Sequence, residues 1–344
     1  MLAKRGLVTV VTGASAGIGR ATAREFGRRG HDVALLARNR DRLSAAAAEL
    51  RASGVRALPI TLDVADADRV EAAAAQIEAE LGPIDIWVNN AMATIFAPFD
   101  RITPQEYRRA TEVTYLGQVH GTMSALTRMR ARDRGTIVNI GSALAYRAIP
   151  LQSVYCGAKF AVRGFTDSLR SELLHDRSAI RLVMVHLPAV NTPQFDWALN
   201  KTGQRPQPVP PIYQPEVPAR AIVDAALHPV RREVWVGLPT FKAIIANKLA
   251  PGLLDRYLAK SGYEGQLTSV PLAGDAPVNL FQSANGDWAA HGRFDDRARG
   301  GCVTEVARRH RGVITLALAG VAMGAAALFG RRTRRLTNAA GKQA

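Results

Sequence analysis

Short apolar runs alternate with helix-patterned stretches through the first 240 residues of the chain. The first run, LVTVVT at 7–12, is rich in β-branched residues, as expected for a strand buried on both faces. The connections between the runs have the length of βαβ crossovers, which build parallel sheets. We predict strands at 7–12, 32–38, 56–63, 84–91, 135–142, 180–188 and 233–237. The fold class is therefore α/β, with a doubly wound parallel sheet of about seven strands flanked by helices.

A glycine-rich loop follows the first strand. The sequence TGASAGIG places Gly13, Gly17 and Gly19 between that strand and the next helix-patterned stretch. Glycines there allow a tight turn and a close approach of the backbone to a pyrophosphate at a helix N-terminus. A tight turn without a ligand is the alternative, and the position after the first strand favours dinucleotide binding. The predicted cofactor-binding residues of this loop are Gly13, Ser15, Gly17, Ile18 and Gly19.

The second strand ends in Ala37 and Arg38, with no carboxylate at the position that usually bonds the ribose of NAD. A guanidinium at this point can pair with a 2′-phosphate. One more surface arginine in an arginine-rich chain is the alternative. We therefore expect NADP(H) to be preferred over NAD(H).

A tyrosine and a lysine stand four residues apart in YCGAK, residues 155–159. Residues at this spacing share a helix face, so the Lys159 ammonium can lie beside the Tyr155 hydroxyl. A free phenol has a pKa of about 10, and a nearby cation favours the phenolate. The pair alone does not distinguish an active site from an ordinary helical turn. Cys156, inside the motif, is expected to be a packed thiol.

Four motifs in this order resemble the short-chain dehydrogenase/reductase family over residues 5–240: TGASAGIG, NNA at 89–91, a serine after the fifth strand, and YCGAK. The resemblance implies a Rossmann-like fold and hydride transfer between a nicotinamide and a carbonyl or alcohol. It assigns the chemistry to Ser142, Tyr155 and Lys159. Tyr155 would be the general acid or base, Ser142 would hold the substrate oxygen, and Lys159 would also bond the nicotinamide ribose.

The same resemblance implies the remaining cofactor contacts. The residues expected around the adenosine are Asp63, Val64, Asn90 and Ala91. Pro188 and Thr192 stand in LPAVNTP, where the family has Pro-Gly followed by a threonine, and Thr192 is expected to bond the nicotinamide carboxamide.

Three positions depart from the family pattern. Met92 follows NNA in place of a glycine, and Ala189 replaces the glycine after Pro188. Thr114, in EVTYLG, stands where the family has an asparagine that supports a water relay to the lysine. We include Thr114 among the catalytic residues because its hydroxyl can hold a water.

Composition limits the other function classes. The net charge is +16, but the arginines of the first 300 residues are scattered rather than gathered in the basic face that nucleic-acid binding requires. Two distant cysteines exclude a disulfide framework and suit a reducing compartment. The seven histidines form no metal-binding pattern. We predict no nucleic-acid partner, no metal, and a catalytic domain in the cytoplasm.

The C-terminal region differs in character. Residues 262–301 are rich in Gly, Asp, Asn and Ser, and residues 312–330 form an uncharged run of 19 residues flanked by arginines. As a helix that run would span about 28 Å, close to the thickness of a bilayer core. An alanine-rich helix buried in an oligomer is the alternative. The predicted organisation is a catalytic domain at 1–262, an irregular extension at 263–307, a membrane anchor at 308–335 and a tail at 336–344. A soluble cytoplasmic protein is the second choice.

The substrate is poorly defined by the sequence. Apolar residues that suit a lid over a lipophilic ketone or alcohol, or that simply pack on the domain, are Phe195, Trp197, Leu199, Pro210, Pro211, Ile212 and Tyr213. Gln152, three residues before Tyr155, is expected to face the pocket. We predict an NADP(H)-dependent oxidoreductase of a lipophilic carbonyl or alcohol, forming a homo-oligomer. The alternative is a non-catalytic NADP(H)-binding regulatory or scaffold protein at a membrane.

Overall fold

A seven-stranded parallel sheet forms the centre of the protein. A computed structural model describes residues 6–286, 288–303 and 305. The strands are β1 Val8–Thr12, β2 Asp32–Ala37, β3 Ala57–Thr61, β4 Ile84–Asn89, β5 Ile95–Phe96, β6 Thr136–Ser142, β7 Arg181–Leu187, β8 Leu199–Asn200, β9 Gln204–Pro206, β10 Ile212–Tyr213, β11 Glu233–Trp235, β12 Leu267–Pro271 and β13 Ala298–Arg299. The central sheet has the order β11-β7-β6-β4-β1-β2-β3, and every pair in it is parallel. The predicted fold class is confirmed.

Helices cover both faces of this sheet. They are α1 Gly17–Arg28, α2 Arg40–Ala52, α3 Ala67–Glu80, α4 Pro104–Thr111, α5 Gly117–Arg130, α6 Ser153–His175, α7 Gln194–Trp197, α8 Glu216–Leu227, α9 Leu238–Leu249 and α10 Pro251–Ser261. Val11 of β1 packs in a core with Phe26 of α1 and Ile222 of α8. Its neighbour Val10 packs in a second core with Ile77 of α3. Successive strand residues thus point to opposite faces, which explains the continuous apolar runs in the sequence.

The order of the strands reverses at β1, since β2 lies on one side of it and β4 on the other. In open parallel sheets this switch creates a crevice at the carboxyl ends of the strands, where ligands bind. The glycine loop leaves β1 at this point, and the NNA segment leaves β4 beside it. The topology alone therefore brings two of the predicted motifs together.

The helical region from α4 to α5 is interrupted. A capping box between Thr103 and Glu106 starts α4, and a π-helical turn at Glu112–Leu116 separates it from α5. Such turns often occur at functional sites. Here the turn contains Thr114, and α5 begins directly after it.

The segment after α10 wraps over the sheet edge. We call residues 276–286 and 288–294 the C-terminal strap; they contain no helix or strand. Leu280 is 1% exposed in the core beside α3, and Phe294 packs with Phe96 and Phe195. The compact unit extends to Cys302, so the strap packs on the domain that we predicted for 1–262.

The predicted membrane anchor at 308–335 and the tail at 336–344 lie outside the described residues. Within the residues that the structure describes, no helix is both long and apolar enough to span a bilayer. The anchor remains a prediction from the sequence.

Candidate active site

Three glycines bring the end of β1 into close contact with the start of α1. Gly13 and Gly17 have positive φ angles of 67° and 56°. A Cβ on Gly19 would lie 2.1 Å from the carbonyl oxygen of Gly13, and a Cβ on Gly13 would lie 2.9 Å from the Cα of Ala91. Side chains are therefore excluded here by contact and, at the first two positions, by conformation. The loop leaves bare backbone at a helix N-terminus, which fits a pyrophosphate.

The end of β4 is fastened to the same loop. The Thr12 hydroxyl accepts hydrogen bonds from the backbone N–H groups of Asn90, at 2.9 Å, and Ala91, at 3.0 Å. The Asn90 amide donates to the carbonyl of Thr12 at 2.9 Å. These bonds fix the NNA segment beside the glycine loop.

A cavity at the carboxyl ends of β1, β2 and β4 brings together most of the predicted cofactor residues. It is lined by Gly13, Ser15, Gly17, Ile18, Arg38, Asp63, Val64, Asn90, Ala91 and Thr192. Asp63 is held in place because Arg109 donates to one of its oxygens and the Ala65 N–H donates to the other at 3.0 Å. The shape and donors of this cavity suit the adenosine and pyrophosphate of a dinucleotide.

The C-terminal strap closes the adenosine end of this cavity. Arg38 donates to the strap carbonyls of Asn279, Leu280 and Phe281, at 2.5, 3.0 and 3.1 Å. Arg38 thus lies where the sequence predicted, but its guanidinium also anchors a segment more than 240 residues away along the chain. The sequence carried no signal for this contact, because any residue can offer its backbone carbonyl to an arginine.

Two further contacts hold the strap over the glycine loop. The Gly17 N–H, at the start of α1, donates to the carbonyl of Ala289 at 3.0 Å. Arg42 donates to the carbonyl of Ala284 at 2.6 Å. The strap therefore bonds to the same loop and strand end that would hold a cofactor's phosphates.

Ser142, Tyr155 and Lys159 converge next to this cavity. Lys159 is 1% exposed, and its Nζ donates to the carbonyl of Ile140 at 2.7 Å and lies 5.5 Å from the centre of the Tyr155 ring. The Ser142 Oγ accepts from the N–H of Leu144 at 3.1 Å, and its side chain hydrogen-bonds the Tyr155 hydroxyl. Strand β6 supplies the serine at its carboxyl end, and the helix face of α6 supplies the other two.

Burial controls the protonation of both α6 residues. Desolvation raises the pKa of Tyr155 above its usual value of about 10, and the hydrogen bond with Ser142 opposes this rise. Desolvation lowers the pKa of Lys159 to about 7. The expected lowering of the Tyr155 pKa by Lys159 is not found in this geometry: burial has the largest effect on that pKa, and Lys159 does not lower it.

Comparisons with known proteins agree with this geometry. The family model for short chain dehydrogenases matches residues 7–202. The uncharacterised oxidoreductase YxnA of Bacillus subtilis strain 168 is 33% identical over 266 residues, which cover 77% of this chain and 74% of YxnA. The chain belongs to the short-chain dehydrogenase family.

Solved structures of the family show a similar fold with nicotinamide cofactors. A metagenomic short-chain oxidoreductase in complex with NADP is 28% identical, with a TM-score of 0.57, and the match covers 67% of this chain and 97% of the other. A short-chain dehydrogenase of Mycobacterium paratuberculosis bound to NAD is 25% identical, with a TM-score of 0.60 and coverages of 68% and 97%. The protein is an oxidoreductase that acts on CH–OH or C=O groups of a small molecule and uses a nicotinamide cofactor.

In this short-chain dehydrogenase, Thr114 links the π-helical turn to the segment after β4. Its hydroxyl donates to the carbonyl of Ala93 at 2.7 Å and accepts from the N–H of the same residue at 2.9 Å. It is fully buried in the π-helical turn. The hydroxyl hydrogen is therefore committed to the backbone, and the proposed water-holding role of Thr114 stays a prediction.

A second cavity, of about 660 Å³, is lined by three of the four predicted catalytic residues, Ser142, Tyr155 and Lys159, but not by Thr114. Its apolar lining includes Leu144, Ile149, Leu187, Pro188, Phe195, Val209, Pro210 and Leu258. Gln152 also lines it, as predicted, and is held by a 2.7 Å hydrogen bond to Gln266. Met92, in place of the family glycine, lines both cavities, together with Thr192. The two cavities thus meet at these residues.

Several of the predicted lid residues do not face the substrate cavity. Ile212 and Tyr213 are 1% and 4% exposed in the core, and Leu199 packs beside it. Trp197 lines the cofactor cavity and packs edge-on against Trp288 of the strap. Phe195 and Pro210 are the predicted lid residues that line the cavity. Leu199, Ile212 and Tyr213 pack within the domain, which was the alternative to a lid.

Sequence reasoning missed a buried polar group behind the serine. His186 of β7 bonds the Ser142 carbonyl through Nδ1 at 3.0 Å, and its Nε2 lies 3.6 Å from the Glu233 carboxylate. Desolvation lowers the pKa of His186. Tyr146 and Trp235 donate to Glu233. The bond between His186 and the Ser142 carbonyl fixes the backbone that carries Ser142, and no motif spacing could have indicated it.

Gly19→Ala is expected to reduce the affinity for NADPH by at least about tenfold, because the added methyl group displaces the Gly13 carbonyl and with it the loop. Titration of cofactor fluorescence measures the change. Gly164→Ala, in the open middle of α6, is the matched control, since a Cβ there meets no atom within 4 Å. Equal affinities for the two variants would show that the close contact does not support the site.

Proposed function

We propose that the protein transfers hydride between NADP(H) and a lipophilic carbonyl or alcohol, with Tyr155 as the general acid or base. The observation that carries the proposal is that Ser142, Tyr155 and Lys159 line one large, mainly apolar cavity, which shares Met92 and Thr192 with the cavity over the glycine loop. The bound cofactor would supply or accept the hydride. The comparisons give no support to the alternative of a non-catalytic binding protein.

The raised pKa of Tyr155 determines its resting state. At neutral pH the phenol keeps its proton, so it is ready to protonate the carbonyl oxygen during reduction. Ser142, which bonds the same hydroxyl, is placed to hold the substrate oxygen beside it. Lys159, buried one helical turn away, would stabilise the phenolate left behind.

The preference for NADP(H) is supported by the charges at the end of β2. Arg38 and Arg42 both line the cofactor cavity there. The acidic lining residue, Asp63, is already bonded by Arg109. A 2′-phosphate would therefore meet cations without meeting a free carboxylate, whereas the ribose of NAD would find no carboxylate partner.

A lipophilic substrate is supported by the second cavity. Apolar side chains form most of its surface, and Gln152, Gln207, Glu264 and Gln266 are among its polar lining residues. Binding there would be driven mainly by removing apolar surface from water. Small hydrophilic alcohols would leave most of this volume unfilled.

Tyr155→Phe is expected to lower turnover by at least about 10²-fold, because it removes the hydroxyl that carries the transferred proton and leaves the ring in place. The assay follows NADPH absorbance with a panel of hydrophobic ketones, and the Kd for NADPH should change by less than about twofold. Tyr257→Phe is the matched control, since Tyr257 lines the cavity but is 63% exposed. An unchanged rate for Tyr155→Phe would refute the mechanism, and tight NADPH binding without turnover of any ketone would refute the substrate class.

Arg38→Ala is expected to weaken the binding of NADPH at least about tenfold more than the binding of NADH, because only NADPH carries the 2′-phosphate. Loss of the strap contacts is expected to weaken the binding of both cofactors, so Leu280→Ala serves as the control. Leu280 is an uncharged strap residue that is 1% exposed and does not line the cofactor cavity. Its replacement should weaken the binding of NADPH and NADH alike. Equal losses of the two cofactors in Arg38→Ala would contradict the assignment of the 2′-phosphate site.

A further inference from the structure

Gln118 lies beside the catalytic lysine and has no assigned role. It is the second residue of α5, one helical turn after Thr114, and is 1% exposed. Its Nε2 donates to the carbonyl of Ile140 at 3.1 Å. The Nζ of Lys159 donates to the same oxygen at 2.7 Å. The amide and the ammonium are therefore neighbours, joined through a single acceptor on β6.

The other end of the Gln118 amide is unpaired. Its Oε1 is buried and has no hydrogen-bond partner among the described residues. Turning the amide over would place two oxygens against each other at Ile140, so the observed orientation is the favoured one. Burying an acceptor without a donor is unfavourable, which makes an unrecognised donor at this place the expected explanation.

Lys159 can supply that donor. An ammonium has three hydrogens, and the structure gives Lys159 one hydrogen bond, to Ile140. Thr114 cannot donate, since its hydroxyl hydrogen is bonded to Ala93. We propose that Gln118 is a positioning residue for Lys159, whose ammonium its Oε1 accepts directly or through one water. This inference concerns the same site as the proposed function and rests on it for its catalytic meaning.

The other charged and titratable groups around Lys159 do not replace this acceptor. Tyr155 and Arg163 lie on its own helix α6. Besides desolvation, the charge of Lys159 contributes to the lowered pKa of His186 in β7, but the Nδ1 atom of His186 is bonded to the Ser142 carbonyl. Glu233 of β11 reaches the site only behind His186. Gln118 is thus placed to favour the charged form of a lysine that burial otherwise neutralises.

The test is to measure the pKa of Lys159 directly. The chain has seven lysines, so the full chain labelled with ¹³C at lysine Cε gives a spectrum simple enough to titrate by NMR, with Lys159→Arg for assignment. Gln118→Leu, which removes the acceptor, is expected to lower the pKa of Lys159 by about half a unit to one unit. Gln118→Glu, of nearly the same shape, is expected to raise it by about one unit or more.

The opposite pKa changes of Lys159 expected in Gln118→Leu and Gln118→Glu distinguish a positioning role of Gln118 from a merely structural one. Thr122→Val is the matched control, because Thr122 is buried one turn further along α5 and bonds Asn139 instead. It should leave the pKa of Lys159 unchanged. Shifts of the same sign in both Gln118 variants, or none in either, would overturn the inference. If Gln118→Leu does not fold, Gln118→Glu decides alone.

This titration needs neither substrate nor cofactor, so its outcome is independent of the proposed reaction. A shifted lysine in a protein that reduces no ketone would leave the inference standing and reject the substrate class. If the Gln118 variants leave the pKa of Lys159 unchanged in a protein that does reduce ketones, the inference is rejected and the proposed function stands.

Discussion

A buried hydrogen bond from Lys159 to the carbonyl of Ile140 joins helix α6 to strand β6. The ammonium is almost fully removed from water, so it would lose its charge without acceptors of this kind. This contact fixes α6 against the sheet at the turn that also carries Tyr155. The phenol thereby meets Ser142, which ends the same strand two residues after Ile140. The active site follows from this one attachment of a helix to a strand.

The C-terminal strap makes the cofactor cavity more enclosed than the sheet crevice alone would be. Its backbone carbonyls take hydrogen bonds from Arg38 and Arg42, and the carbonyl of Ala289 takes one from the glycine loop. Some of the many arginines of the chain thus hold an irregular segment in place. Cofactor phosphates and strap carbonyls would draw on the same donors.

The sequence predicted the fold and the main chemistry well, for physical reasons. Buried parallel strands must be continuously apolar, so they can be recognised in the amino-acid sequence. Gly19 cannot carry a side chain against Gly13, so the glycine loop can be recognised too. Contacts made through backbone carbonyls leave no such trace in the sequence, which is why the strap contacts of Arg38 and the shared bond of Gln118 and Lys159 to the Ile140 carbonyl were missed. The apolar character of a residue also does not say which surface it covers, so the sequence left open whether Ile212 and Tyr213 form a lid or pack in the core, where they lie.

A crystal structure of the complex with NADP⁺ tests the central claim most directly. The account predicts the 2′-phosphate at Arg38, the pyrophosphate over the glycine loop, and the nicotinamide ring at the meeting of the two cavities, beside Tyr155 and Lys159. A nicotinamide placed away from Tyr155, or a 2′-phosphate turned to solvent while Arg38 stays on the strap, would contradict it.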